Sequence, residues 1–302
     1  MSRRLQTALT GLMTAVALLL GLLGPAGALA ADDRVTFDKP AAHPSGFGVQ
    51  WTEVFHASRR PVRVELMSRL VGQDAWLVDE ASFSALEGRD RYGALYWAKT
   101  TYPPNTPVEY RFRVTPKSGQ PVTGPRGVVT IEDERIDWKT LKGDLVRLHW
   151  QTGDEAFARR ALQIAETAIA KTSALLGVTE TEPIDFFVYS DAEDFQSALG
   201  PGTKEFVAGR AINEIRTMFA RIAPDAIGSD WVSIVIPHEL VHLVFDTATH
   251  NPYHQPPHWL NEGLAVYLSE GYGDADRQRV ANAVERQTLL PLSSIVDGEL
   301  PS

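Results

Sequence analysis

The hydrophobic period of this 302-residue chain changes once, and that change limits the folds open to it. From about residue 33 to residue 132, apolar and polar residues alternate. In "PVEYRFRVTP", Val108, Tyr110, Phe112 and Val114 fall on one side, with Glu109, Arg111 and Arg113 on the other. Period two sends successive side chains to opposite faces, so this stretch is a strand with one wet face. Similar runs occur at "GVQWTEVF", "VRVELMSRL", "AWLVDEASF", "ALYWAK" and "GVVTIED", separated by turn clusters such as "HPSG", "YPPNTP" and "PKSGQ". Short strands at this spacing predict a β-sandwich of the immunoglobulin or fibronectin type III kind.

Beyond "EDERIDWKTLKGD" the pattern differs. "LVRLHW" is a predicted strand, and "DEAFARRALQIAETAIAKTSALLG" is an amphipathic helix ending near Gly177. Its stripe of Ala161, Ile164, Ala165, Ala168 and Leu175 is ordinary helix core. "IDFFVYSD" is a buried strand followed by a helix start, giving a β-α-β-α run. "FVAGRAI" and "IRTMFARI" then form a hairpin or an edge strand. The changeover falls between residues 133 and 144. The expected organisation is therefore α+β and multi-domain: a sandwich over 31–135 and an α/β domain over 136–302.

Residues 1–30 stand apart. Arg3 and Arg4 precede the apolar run "GLMTAVALLLGLLG", and Ala28-Leu29-Ala30 suits signal peptidase, so a secretory signal cleaved after Ala30 is expected, with no stable membrane span afterwards. Losing those two arginines takes the net charge from −9 to −11, which disfavours a nucleic-acid partner. The chain has no cysteine. Any metal must then be held by histidine and carboxylate, without thiolates.

"IPHELVHLVF", from Ile236 to Phe245, carries H-E-x-x-H. On a helix, His238 and His242 share a face and Glu239 lies at its edge, the arrangement of a zinc pair with a general base. Pro237 either opens this helix or kinks one that begins near Asp230. A catalytic zinc takes three protein ligands and keeps one open position. Glycine and histidine three and six residues after His242 would mark a metzincin, but Phe245 and Ala248 stand there, which excludes that branch. Downstream, "PPHWLNEGLAVYLSEG" places Glu262 on a second helix, far enough along the chain to return antiparallel and supply the third ligand. His238, His242 and Glu262 form the predicted metal set, and Glu239 the catalytic base.

HELVH followed by WLNEGLAVY resembles the gluzincin metallopeptidases, especially the bacterial peptidase MA-like proteins, and the order of elements is similar over nearly all of the chain after residue 30. The resemblance implies a zincin-like, thermolysin-type domain holding Zn²⁺, with Glu239 taking the proton of a zinc-activated water and a protein or peptide as substrate. It also implies further helices after such a segment, so a C-terminally truncated peptidase domain is expected. Two expected features are missing. Thermolysin-like members carry an acid four residues after the ligand glutamate to orient a histidine; Val266 stands there, with Glu270 the nearest substitute. Gluzincins also place an oxyanion-stabilising tyrosine or histidine well downstream of the glutamate helix, and the expected truncation would remove it. Aminopeptidase members carry G-x-M-x-N before the metal helix, but Gly209 to Asn213 reads "GRAIN", which favours an endopeptidase or a type left open over an aminopeptidase.

His250, His254 and His258 lie in a proline-rich loop and are read as rim residues, with a transition-state donor or a substitute ligand as the alternative role; Tyr253 and Tyr272 are read in the same way. Tyr267 is assigned to the core, and Trp259 to anchoring the glutamate helix. Arg277, Arg279, Glu285 and Arg286 form a solvated helix face. The function expected is an exported zinc metallopeptidase. The alternative is a surface binding protein whose peptidase-like part is a metal-holding scaffold. Nothing in the sequence speaks to the oligomeric state.

Overall fold

Alternation along the first half becomes two antiparallel sheets around one core. The computed structural model describes residues 33–45, 48–99, 102–200, 208–250, 256–291 and 294; the expected signal segment, His254 and Tyr253 lie outside them. The strands are β1 (Val35–Phe37), β2 (Ala41–Ser45), β3 (Gly48–Ala57), β4 (Arg63–Leu70), β5 (Leu77–Glu80), β6 (Ser82–Ala85), β7 (Arg91–Lys99), β8 (Thr106–Thr115), β9 (Val122–Thr123) and β10 (Gly127–Ile131). One sheet runs β1-β3-β7-β6 with β2 on β3, the other β10-β8-β4-β5 with β9 on β8. Val49, Trp51 and Phe55 of the first pack with Leu66, Val108 and Phe112 of the second. "AWLVDEASF", expected to be one strand, is two. The chain passes from one sheet to the other at buried Ala81, whose N–H donates to the Val64 carbonyl.

The second half is built on a mixed sheet of order β11-β12-β13-β15-β14, from β11 (Lys139–Lys142), β12 (Val146–Trp150), β13 (Ile184–Tyr189), β14 (Gly209–Ile212) and β15 (Thr217–Arg221). β12, β13 and β15 run parallel, and β11 and β14 close the edges antiparallel. β11 falls inside the changeover stretch, where no strand was expected: "KTLK" has no apolar alternation and is a strand because it pairs with β12.

Among the described residues, five α-helices accompany this sheet: α1 (Glu155–Leu176), α2 (Ala192–Leu199), α3 (Asp230–Thr249), α4 (His258–Ser269) and α5 (Asp274–Glu285). The ends of α1 follow its sequence. The Asp154 carboxylate accepts from the Phe157 N–H at 2.9 Å, and Gly177 adopts the left-handed C-cap conformation at φ 67°. Ala161, Ala165 and Ile169 of α1, Leu148 of β12, and Ile236 and Leu240 of α3 share one core. Leu175, assigned to the helix core, is 57% exposed, while its neighbour Leu176 in the same last turn packs against the core. Phe187 and Tyr189 of β13 face the opposite side with Phe195 of α2, so all six residues of β13 are buried.

The two halves meet through hydrogen bonds. Asn105 Nδ2 donates to Asp185 at 3.0 Å and to Thr217 Oγ1 at 2.9 Å, and the Tyr189 hydroxyl donates to Asp133 at 3.0 Å. Burial favours the neutral acid of Asp185, but its bonds to His149, Arg147 and Asn105 outweigh that and hold it below the ordinary carboxylate range.

Candidate metal centre and catalytic cleft

α3 begins at Asp230 and carries Pro237 in its interior, which decides between the two starts the sequence allowed. The reason is burial: Val232 and Ile236, both upstream of Pro237, are 0% exposed in the core and hold the first turns in place. The proline has no N–H, so the backbone bond it would make to Ser233 is absent. With the apolar stripe of α3 against the sheet, His238, Glu239 and His242 face β14 and α4, where they line a cleft with Glu262.

The predicted ligands converge. His238 Nε2 lies 3.6 Å from one Glu262 oxygen and His242 Nε2 3.9 Å from the other. One donor atom from each of the three falls within 4.8 Å of the others. Tetrahedral ligands at zinc-like distances sit roughly 3.4 Å from one another, so the donor set fits a divalent ion with little movement. Burial, with His242 beside it, pulls the His238 imidazole below its ordinary pKa against the opposing charge of Glu262. The neutral ring is the form that ligates.

The partner that orients His242 is Asn261, whose Oδ1 lies 2.9 Å from His242 Nδ1. A bond at Nδ1 leaves Nε2 free to ligate. Sequence reasoning missed this residue and looked to Glu270, whose charge acts on His238; the only signal was an amide adjoining the ligand glutamate. His258 sits one turn before Glu262, with Nδ1 3.6 Å from its carboxylate and its side chain 80% exposed, consistent with a rim position. Tyr267 is not core. It is 57% exposed, since α4 buries only Ala265 among its residues.

Glu239 is held from the side of the edge strand. The Ala211 N–H donates to its Oε2 at 2.8 Å, across 28 residues of chain. Gly209 lies directly beneath: a Cβ there would come 2.7 Å from Glu239 Cγ. Burial raises the Glu239 carboxyl above the ordinary range, opposed by His242, the Ala211 amide and Arg210. The result is a carboxylate with raised proton affinity beside three converging side chains that could hold a metal ion.

Residues 164–299 match the family model of the peptidase MA superfamily. No curated protein matches the chain. Among solved structures, similarity is found to a carbohydrate-binding module family 56 β-1,3-glucan binding domain (16% identity, 32% of this chain, 98% of that one, TM-score 0.20). An aminopeptidase N family protein from Idiomarina loihiensis also matches (10% identity, 78% of this chain, 54% of that one, TM-score 0.34). So does purple acid phosphatase PPD1 from yellow lupin, Lupinus luteus (8% identity, 51% of this chain, 29% of that one, TM-score 0.27). The chain thus spans about half the length of the aminopeptidase N family protein, and at these scores none of the three establishes a shared fold. The helices bearing His238, His242 and Glu262 lie inside the matched segment, and the match over residues 164–299 is consistent with a gluzincin-like peptidase family.

Proposed function

We propose that the protein is a zinc-dependent endopeptidase, exported by residues 1–30, with an immunoglobulin- or fibronectin-like sandwich preceding its peptidase domain. The convergence of His238, His242 and Glu262 with Glu239 beside them carries this reading. When bound, zinc supplies a Lewis acid that polarises a peptide carbonyl and acidifies water. Glu239, with one oxygen held by the Ala211 amide, has the other free to take a proton from water and pass it to the leaving amine. Its raised proton affinity suits both halves of that transfer.

The substrate lies along β14. The Arg221 N–H donates to the Ala208 carbonyl, and bonding pairs alternate along an antiparallel ladder, so Gly209 and Ala211 direct their backbone groups away from β15. The Ala211 N–H serves Glu239, which leaves the Gly209 groups and the Ala211 carbonyl to pair with an extended peptide. Among the described residues lining the cleft, the carboxylates are Glu239 and Glu262, both already engaged. None remains to hold a substrate's terminal amine, which supports internal cleavage.

The test compares the purified protein with Glu239→Gln for bound zinc and for hydrolysis of unfolded casein. Near-stoichiometric zinc in both, with cleavage only by the wild type, is the expected result. Zinc without cleavage by either would make the chain a metal-holding scaffold, and absence of zinc would overturn the metal assignment itself.

A further inference from the structure

Arg210 occupies an unusual position for an arginine of this chain. It lies exposed on edge strand β14 and lines the same cleft as His238, Glu239 and Glu262. Its charge reaches Glu239, yet no carboxylate among the described residues pairs with it, whereas Arg135, Arg147 and Arg216 each have an acidic partner. On a chain of net charge −9, an unpaired cation at the cleft is the group that would admit an acidic peptide otherwise repelled at long range. The described lining agrees in being otherwise short of apolar surface, with Ala211 its largest apolar residue.

Resting on the peptidase reading, we infer that Arg210 determines specificity by selecting substrates with an aspartate or glutamate beside the scissile bond. Side chains alternate along β14, so the Arg210 side chain leaves from the face opposite Gly209 and Ala211, at the rim of the cleft that Glu239 also lines. A peptide paired antiparallel with this strand sets one residue directly across from Arg210 on that face, with Cβ atoms about 5 Å apart. A carboxylate at that position meets the guanidinium without disturbing Glu239 or the ligands. The pair is solvated, so the discrimination is modest: from about 1.4-fold to roughly fivefold in kcat/KM, expressed in KM, and shrinking with added salt.

The experiment scans Glu, Gln and Lys through the three positions on each side of one cleavable bond. It reads kcat and KM for the zinc-loaded wild type, Arg210→Ala and Arg210→Glu. In parallel it reads the affinity of fluorescent versions of the same peptides for the zinc-loaded Glu239→Gln protein and for Glu239→Gln combined with Arg210→Glu. The expected result is a Glu-over-Lys preference at one position in both KM and affinity, lost in Arg210→Ala and inverted in Arg210→Glu. Cleavage with no charge preference, or a preference that survives Arg210→Glu, overturns the inference while leaving the peptidase reading intact. If no peptide is cleaved, that reading falls, and the binding arm alone decides whether Arg210 selects acidic peptides.

Discussion

Replacing Gly209 with alanine tests whether Glu239 works from the seat the edge strand provides. The added Cβ would lie 2.7 Å from Glu239 Cγ, 3.1 Å from its Oε1 and 3.1 Å from Val235 Cγ2. Ordinary carbon–carbon contact is about 3.7 Å, so the Glu239 side chain must retreat by roughly 1 Å. Such a retreat breaks its bond with the Ala211 N–H and moves the free oxygen off line. Misplacement of about 1 Å in a reacting group costs on the order of 10²-fold in rate, equivalent to about 2.7 kcal/mol of transition-state stabilisation. Gly209 is a strand residue without positive φ, so alanine adds no backbone strain, and overpacking costs about 1–3 kcal/mol of stability. None of the three ligands is touched, and zinc content should stay at the wild-type level. The assay is kcat on a fluorogenic peptide beside metal analysis and a melting curve. Adding Val235→Ala relieves the second clash and should recover stability while activity stays low. A folded, zinc-replete Gly209→Ala protein with wild-type kcat would refute the reasoning, because Glu239 would then not depend on its seat.

Asn261→Ala removes the acceptor that orients His242, so zinc affinity measured by competition with a chelator should fall about 10- to 100-fold, with Asn261→Asp retaining most of it; unchanged affinity would dismiss the orienting role. Glu53, on the core-facing side of β3, has both carboxyl oxygens buried without partners; burial pushes its pKa from 4.5 up to about 8, with the Asp38 charge adding and the Val54 amide opposing. The folded state therefore holds a proton that the unfolded state has lost: Glu53's contribution is fully present below pH 4.5 and declines through about pH 8, by roughly 5 kcal/mol at the upper bound. The melting temperature of the wild type should fall between pH 5 and 9 more steeply than that of Glu53→Gln, and parallel slopes would exclude Glu53 as the cause.

Much of the fold was legible because it follows from residues close in the chain. Alternation in β3 and β8, the Asp154 and Gly177 caps of α1, and the unbroken apolar run of the fully buried β13 each express a local backbone preference together with burial. β11 was not legible, since its conformation comes from its neighbour β12. Neither was the split at Ala81, where the same extended backbone serves two sheets in turn. Tyr267 and Leu175 were assigned inward from periodicity, which gives the spacing of an apolar stripe and not how far the partner surface extends.

The site divides in the same way. Helical spacing by itself set His238, Glu239 and His242 side by side, and the motif around Glu262 marked the third candidate ligand. Their chemistry depends on contacts between segments the sequence does not relate: Asn261 against His242 over 19 residues, and the Ala211 amide and Gly209 against Glu239 over about 30. Those contacts exist because α3 packs its apolar face on the sheet and presents the opposite side to β14 and α4. Residue types and their period determined which groups could form a site; the packing of helix against sheet edge decided how each group is held, since only burial brings distant segments to bonding distance.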